Sequence, residues 1–303
     1  MIFSVEAWDP EYGTGGDIDA LDASTDVVQA DVEVPLDQWA PINPDRAPVH
    51  GAITFVDGVR RIDARVWVTD EGRVLPGTCA TVAAGAVRCT AGAAEISQVE
   101  VRRAFFTPPT PSAESINTEY GTYEHVVIKT GSPEDLYLGI HEEMTDLETL
   151  IVPTAAESEL VIFDGPLRGR TNERTVGLIK TQHVQYLDVD QQQVVTTLEE
   201  GERSPVFTIG SKSSWYARLP GPRTHGWAGI VRCETAGDDV ATSAELANDV
   251  TATLPRYASQ PHKEARAPQN LYPIKGLEQA LRRRLGDQRL LQRALRKQSN
   301  QPS

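Results

Sequence analysis

The sequence predicts an α/β fold: a mixed sheet with flanking helices and a helical C-terminal segment. Three observations carry this. Apolar runs with period two crowd residues 51–107, a capped amphipathic pattern begins at Ser132, and leucines at helical spacing dominate the last thirty residues. With 303 residues, 40% of them hydrophobic, the chain can build a sizeable core.

The first strand signal is Ala52-Ile53-Thr54-Phe55-Val56, closed by Asp57-Gly58. Ile62, Ala64, Val66 and Val68 then alternate with polar or outward residues up to Asp70-Glu71-Gly72, where glycine permits the positive φ of a hairpin turn. Val74–Cys89 and Val99–Phe106 continue a mostly antiparallel meander, which the Pro-rich stretch 107–111 ends. Ser132-Pro133-Glu134-Asp135 supplies an N-cap hydroxyl, a first-turn proline and two acids at the positive end of a helix dipole. Leu136, Ile140, Leu147 and Ile151 share one face of that helix, flanked on opposite sides by Glu143 and Glu148.

Leu160-Val161-Ile162-Phe163 reads as a strand covered on both faces, ending in Asp164-Gly165-Pro166. Thr175–Lys180 is a further strand, Val184–Leu198 a helix, and runs around Val206, Trp215–Leu219 and Trp227–Val231 are strands. Helices follow at Ala244–Leu254, from Ile274 to Leu285, and after Gly286.

Charge divides the chain. The net charge is −14, with 29 Lys plus Arg against 43 Asp plus Glu, and residues 1–45 hold eleven acids and no Lys or Arg. The segment 256–303 carries eleven basic and three acidic residues, a net of +8 that leaves −22 on residues 1–255. Residues 1–50 are expected to be an acidic N-terminal segment making partner or dimer contacts, and 51–303 a separate folded domain. No run of about 18 apolar residues and no secretion-type leader occurs, so a cytoplasmic, non-membrane protein is expected. Cys79, Cys89 and Cys233 lack CxxC spacing, which suggests neither a disulfide framework nor a zinc site.

There is no GxxxxGK[ST], HExxH, GxSxG or strand-following GxGxxG. Two DxD matches, at 17–19 and 188–190, are near chance in so acidic a chain. What remains is a pair of aspartates, Asp57 and Asp164, each expected where an apolar strand stops and a glycine follows. With a helix glutamate between them, either Glu148 or Glu143, they give the Asp, Glu, Asp order of a ribonuclease-H-like site. Clustered carboxylates of this kind suit two-metal phosphodiester cleavage, in which two ions about 4 Å apart stabilise attacking and leaving oxygens. Mn²⁺ or Mg²⁺ is the expected cofactor, because both prefer oxygen ligands.

Phe55-Val56-Asp57-Gly58, Leu160 to Leu167, Gly177-Leu178-Ile179-Lys180, Trp215 to Pro220, and Arg266 to Ile274 followed by Leu277-Glu278 together resemble the NurA nucleases, over residues 51 to about 296. That resemblance implies a ribonuclease-H-like core and a metal-dependent DNA nuclease with 5′–3′ exonuclease and single-strand endonuclease action. It also implies a homodimer working with a HerA-type hexameric ATPase, which agrees with the missing phosphate loop. It puts Asp57, Glu148 and Asp164 in the catalytic and metal-binding positions, with Glu143 the alternative helix carboxylate. The resembling family often has a histidine near its C-terminal Tyr-Pro. Here Tyr272-Pro273 is followed by Glu278, while His262 precedes the Pro-Gln-Asn segment, so Glu278 is a candidate fourth ligand and His262 a candidate general acid or phosphate contact. Arg60, Arg61 and Lys180 are candidate phosphate neutralisers, and Arg218 with Trp215 and Tyr216 a candidate single-strand channel. Two other readings fit the sequence: a non-catalytic adaptor of a DNA translocase, and a ribonuclease-H-like enzyme acting on RNA.

Overall fold

The structure, a computed structural model, describes residues 27–155, 158–170, 172–182, 184–237 and 239–299. Eleven strands and five α-helices lie among them, distributed over two compact units. The first comprises residues 1–55, 87–95 and 155–275, the second residues 56–86, 96–154 and 276–303. Residues 1–26 of the acidic N-terminal segment lie outside the described residues.

Three long strands, β2 (Ile53–Asp70), β3 (Arg73–Thr90) and β4 (Ala93–Thr107), each with most of its residues in the second unit, follow one another through two-residue turns. At the first turn Glu71 and Gly72 have φ of 46° and 78°, the pair of positive values that a type I′ hairpin requires. β5 (Ile116–Thr118) and β6 (Gly121–Val127) complete the order β2-β3-β4-β6-β5, with β6 parallel to β4 and β5 antiparallel to β6. The sequence does not announce β5 and β6, which are short and half polar.

The helix α1 (Pro133–Ala155) begins where the sequence places it: the Ser132 hydroxyl accepts the Asp135 N–H at 3.1 Å. Ile140, Leu147 and Ile151 are buried, as the helical phase requires. Gly139 packs so close to Phe106 and Ile128 that a Cβ there would stand 2.7 Å from the Ile128 side chain.

The first unit holds β1 (Val28–Gln29), β7 (Leu160–Asp164), β8 (Thr175–Ile179), β9 (Phe207–Ile209), β10 (Lys212–Arg218) and β11 (Ile230–Ala236), in the order β1-β9-β10-β11-β8-β7. β7 and β8 are parallel, and the pairs from β8 to β1 are antiparallel. The helix expected over Val184–Leu198 is shorter, α2 (Val189–Thr197), and the strand expected at Trp227–Val231 starts at Ile230. Residues 225–229 instead form a turn whose Gly226 and Ala228 carbonyls accept from Arg218. Leu187, Val195, Phe207, Tyr216 and Ile230 form a core cluster against which Trp39 and Trp227 pack.

α3 (Val240–Thr253) packs against β10 and runs into a 3-10 turn at Leu254–Tyr257. The chain ends in α4 (Tyr272–Arg284) and α5 (Gln288–Ser299), separated at Gly286, whose φ of 81° breaks the helix. Cys79, Cys89 and Cys233 are buried free thiols, and burial pushes the Cys79 and Cys89 thiols up to about 12 and about 11. No helix among the described residues is long and apolar enough to cross a membrane.

Candidate active site

β2 does not stop at Asp57. It continues for another thirteen residues to Asp70, so Asp57 sits within a strand rather than at its carboxyl end. The Asp-Gly pair, read from sequence as the end of a strand, is extended within β2.

Gly58 has a different purpose. The Asp57 Oδ1 accepts the Gly58 N–H at 2.8 Å, and Glu148 Oε1 lies where a Cβ on residue 58 would be 2.4 Å from it. Two carboxylates thus meet the backbone of one glycine, and both residues are buried, with 7% and 6% of their surfaces exposed. The helix face that delivers Glu148 carries Tyr137, His141 and Met144 at spacings of four, three and four, a stripe beside the apolar one. Met144 lies against Gly58, and Arg60 lies over the Tyr137 ring at 4.6 Å with its Nη1 3.0 Å from His141 Nδ1. Sequence reasoning passed over Tyr137 and His141. Their signal was the second stripe on α1.

Glu143 is placed otherwise: it forms an ion pair with Arg102 at 2.9 Å. Arg61 is likewise committed, to Asp63 at 2.8 Å and to the Leu285 and Gly286 carbonyls. Glu278 is paired with Arg282 one turn along α4, at 2.8 Å.

Asp164 is where the sequence puts it, the last residue of β7. Gly165 takes a φ of 102°, and the next turn approaches β8 so closely that a Cβ on Gly177 would stand 2.7 Å from the Gly165 carbonyl oxygen. That turn is fastened by Glu234, which accepts the Leu167 N–H at 2.9 Å and pairs with Arg232 and Lys212. Burial alone would raise the Glu234 carboxyl, but Arg232, Lys212 and the Leu167 N–H hold it below the ordinary carboxylate range.

The counter-charge of Asp164 is Lys180, whose Nζ stands 2.6 Å from Oδ1 and also donates to Asn270 Oδ1 at 2.9 Å. Gln269 Nε2 donates to the Lys180 and Ile230 carbonyls at 3.0 and 2.9 Å. The Pro-Gln-Asn segment therefore fixes Lys180, and the ammonium that was expected on a phosphate rests on Asp164. Asn270 is fully buried, and its Nδ2 meets no acceptor among the described residues.

Two expectations need correcting. Trp215 and Tyr216 are core residues, essentially without exposure, and cannot stack on bases. Arg218 donates to the carbonyls of Ala228, Gly226 and Thr196, holding the 225–229 turn, and burial, with the nearby Arg223 charge, lowers its guanidinium below the ordinary value. His262 is exposed in the turn at 261–263.

Among the described residues no three histidine, cysteine or acidic side chains form a group that could hold a metal ion. The donors at Gly58 still suit a hard divalent cation. Mg²⁺ commonly takes one or two protein carboxylates and completes its octahedron with water and substrate phosphate oxygens.

The mixed sheets and flanking helices define an α/β fold. The chain is similar to the NurA nuclease from Sulfolobus solfataricus, at a TM-score of 0.50 and 10% identity over 95% of both chains, and so has a NurA-like fold. Endonuclease V from Bacillus subtilis aligns over 78% of this chain and 83% of its own at 13% identity, with a TM-score of 0.32. No family model and no curated protein matches the chain.

Proposed function

We propose that the protein is a divalent-metal-dependent DNA nuclease whose ion is held by Asp57 and Glu148. The observation that carries this is the convergence of the two buried carboxylates on Gly58, in a chain with a NurA-like fold. Two carboxylates that approach the same stretch of backbone supply the hard oxygen donors that a divalent cation takes. Mn²⁺ or Mg²⁺, when bound, would polarise the scissile phosphate and make a water nucleophilic near neutral pH. Asp57 and Glu148 would hold that ion, and their burial would limit competing water. Arg60, steadied by Tyr137 and His141, offers a guanidinium three residues from Asp57 for a phosphate oxygen.

Asp164 already bears a cation, so it would take a second ion only by exchange with the Lys180 ammonium. A single ion at Gly58 is therefore the simpler assignment than a two-metal centre. Glu278 and His262 are assigned no part in it.

The finer reading extends to 5′–3′ exonuclease and single-strand endonuclease action on DNA ends, by a homodimer serving a HerA-like hexameric ATPase. Its support is the resemblance in the motifs and the missing phosphate loop, which leaves translocation to a partner. A second reading, a non-catalytic adaptor, draws on the Asp164–Lys180 pair, which satisfies that carboxylate without a metal.

End-labelled single- and double-stranded DNA incubated with and without Mn²⁺ separates the two. The nuclease reading expects Mn²⁺-dependent cleavage that Asp57→Ala reduces at least about 100-fold, the upper end of what residues merely supporting a metal contribute. Equal behaviour of wild type, Asp57→Ala and Asp164→Ala, with the partner motor also present, would sink it.

A further inference from the structure

The helix α5 is twelve residues long and contains no acidic side chain. Its inner face is fixed. Leu291, Ala294 and Leu295 are buried, and Leu295 packs in a cluster with Cys79, Phe105 and Tyr123. Asp287 caps its start by accepting the Arg289 and Leu290 N–H groups at 2.8 and 3.0 Å, and Gln288 donates to the Ile62 carbonyl at 3.1 Å. Arg61, bonded to the Leu285 and Gly286 carbonyls, holds the preceding junction.

The rotation of the helix is thus set, and it turns Arg289, Arg293, Arg296 and Lys297 to solvent at positions i, i+4, i+7 and i+8. The end of α4 adds exposed Arg282, Arg283 and Arg284. Of these seven cations, only Arg282 has an ion pair among the described residues, to Glu278. At a rise of about 1.5 Å per residue the stripe from Arg289 to Arg296 runs about 10 Å. A protein of net charge −14 has gathered these charges where its own acids leave them unneutralised.

We propose that this face of α5, extended by the end of α4, binds the sugar-phosphate backbone of nucleic acid without sequence preference. A protein partner is less well served. Leu290 is the one exposed large apolar residue on the helix, and the helix itself has no aromatic, whereas protein interfaces are anchored by buried aromatic and aliphatic groups. Spaced cations are all that phosphate binding requires, and arginine's fork suits phosphate oxygens. The choice of DNA as probe rests on the nuclease reading above.

The test is fluorescence anisotropy of a labelled single-stranded DNA with the full chain in EDTA, between about 50 and 200 mM salt. Wild type is compared with a variant carrying Arg289→Gln, Arg293→Gln, Arg296→Gln and Lys297→Gln, and with one carrying Lys at the three arginine positions. The glutamine variant is expected to bind at least tenfold more weakly at low salt. Its slope of log affinity against log salt should be shallower by about 2 to 3, at about 0.7 per lost phosphate contact. The lysine variant should keep most of the slope. Unchanged affinity and slope in the glutamine variant would overturn the proposal, as would displacement of the DNA by polyglutamate at equal charge concentration. Because binding is read without metal, a protein that binds through the stripe but cuts nothing would count against the nuclease reading alone.

Discussion

Asp164 carries its neutralising charge with it: Lys180 is 2.6 Å away, buried, and fixed by Asn270. At Gly58, Asp57 and Glu148 both lie against a residue that has no side chain. The first neighbourhood is built as a structural ion pair, the second as two carboxylates brought to a backbone where only glycine leaves room for Glu148. Substitutions at Asp164 should therefore act mainly on stability, and those around Gly58 mainly on activity.

The largest separation is expected for Asp57→Asn and Glu148→Gln. Each should reduce Mn²⁺-dependent cleavage at least about 100-fold while the thermal midpoint stays within a few degrees of wild type, since the substitutions keep the shape of the side chain. Gly58→Ala should come next: its Cβ would stand 2.4 Å from Glu148 Oε1 and 2.8 Å from Met144 Cγ, displacing the carboxylate and reducing cleavage about tenfold or more. A Gly58→Ala protein with wild-type activity would break the comparison.

At Asp164, alanine leaves a buried ammonium with only Asn270 as an oxygen partner. Complete loss of a buried partner costs about 3–5 kcal/mol, and with Asn270 remaining about 2 kcal/mol is expected in denaturant unfolding. Lys180→Met in the same chain should recover part of that loss, read as the coupling in a double-mutant cycle. The smallest effect concerns Glu264. Burial would raise its carboxyl, but the Arg266 N–H, Lys275 and Arg266 lower it from 4.5 to about 2. Its contribution to stability is complete above pH 4.5 and is lost as the pH falls through about 2. Glu264→Gln should flatten the stability profile in that window, measured as unfolding midpoint against pH.

The parts of this that could be read in the sequence are those fixed by local chemistry. Ser132-Pro133 starts α1, Glu71-Gly72 turns the first hairpin, Gly286 separates the last helices, and the continuous apolar run at Leu160 ends at Asp164. Where distant residues decide, sequence signals fell short. The Asp57-Gly58 pair has the composition of a turn, yet it lies extended inside the eighteen-residue strand β2. Helical phase left Glu143 and Glu148 equivalent. Arg102, 41 residues away in sequence, engages the first, and Gly58 makes room for the second. Arg218 and Trp215 look like a nucleic-acid platform until the 225–229 turn and the core claim them. The weakly patterned β5 and β6 form because β4 offers them an edge.

The central claim is that a divalent ion is held by Asp57 and Glu148, and Mn²⁺ titration followed by electron paramagnetic resonance addresses it without any assay of cleavage. Wild type and Glu143→Gln should bind Mn²⁺ alike, and Asp57→Asn and Glu148→Gln should each bind it at least about tenfold more weakly. Equal Mn²⁺ affinity in all four proteins would contradict the account.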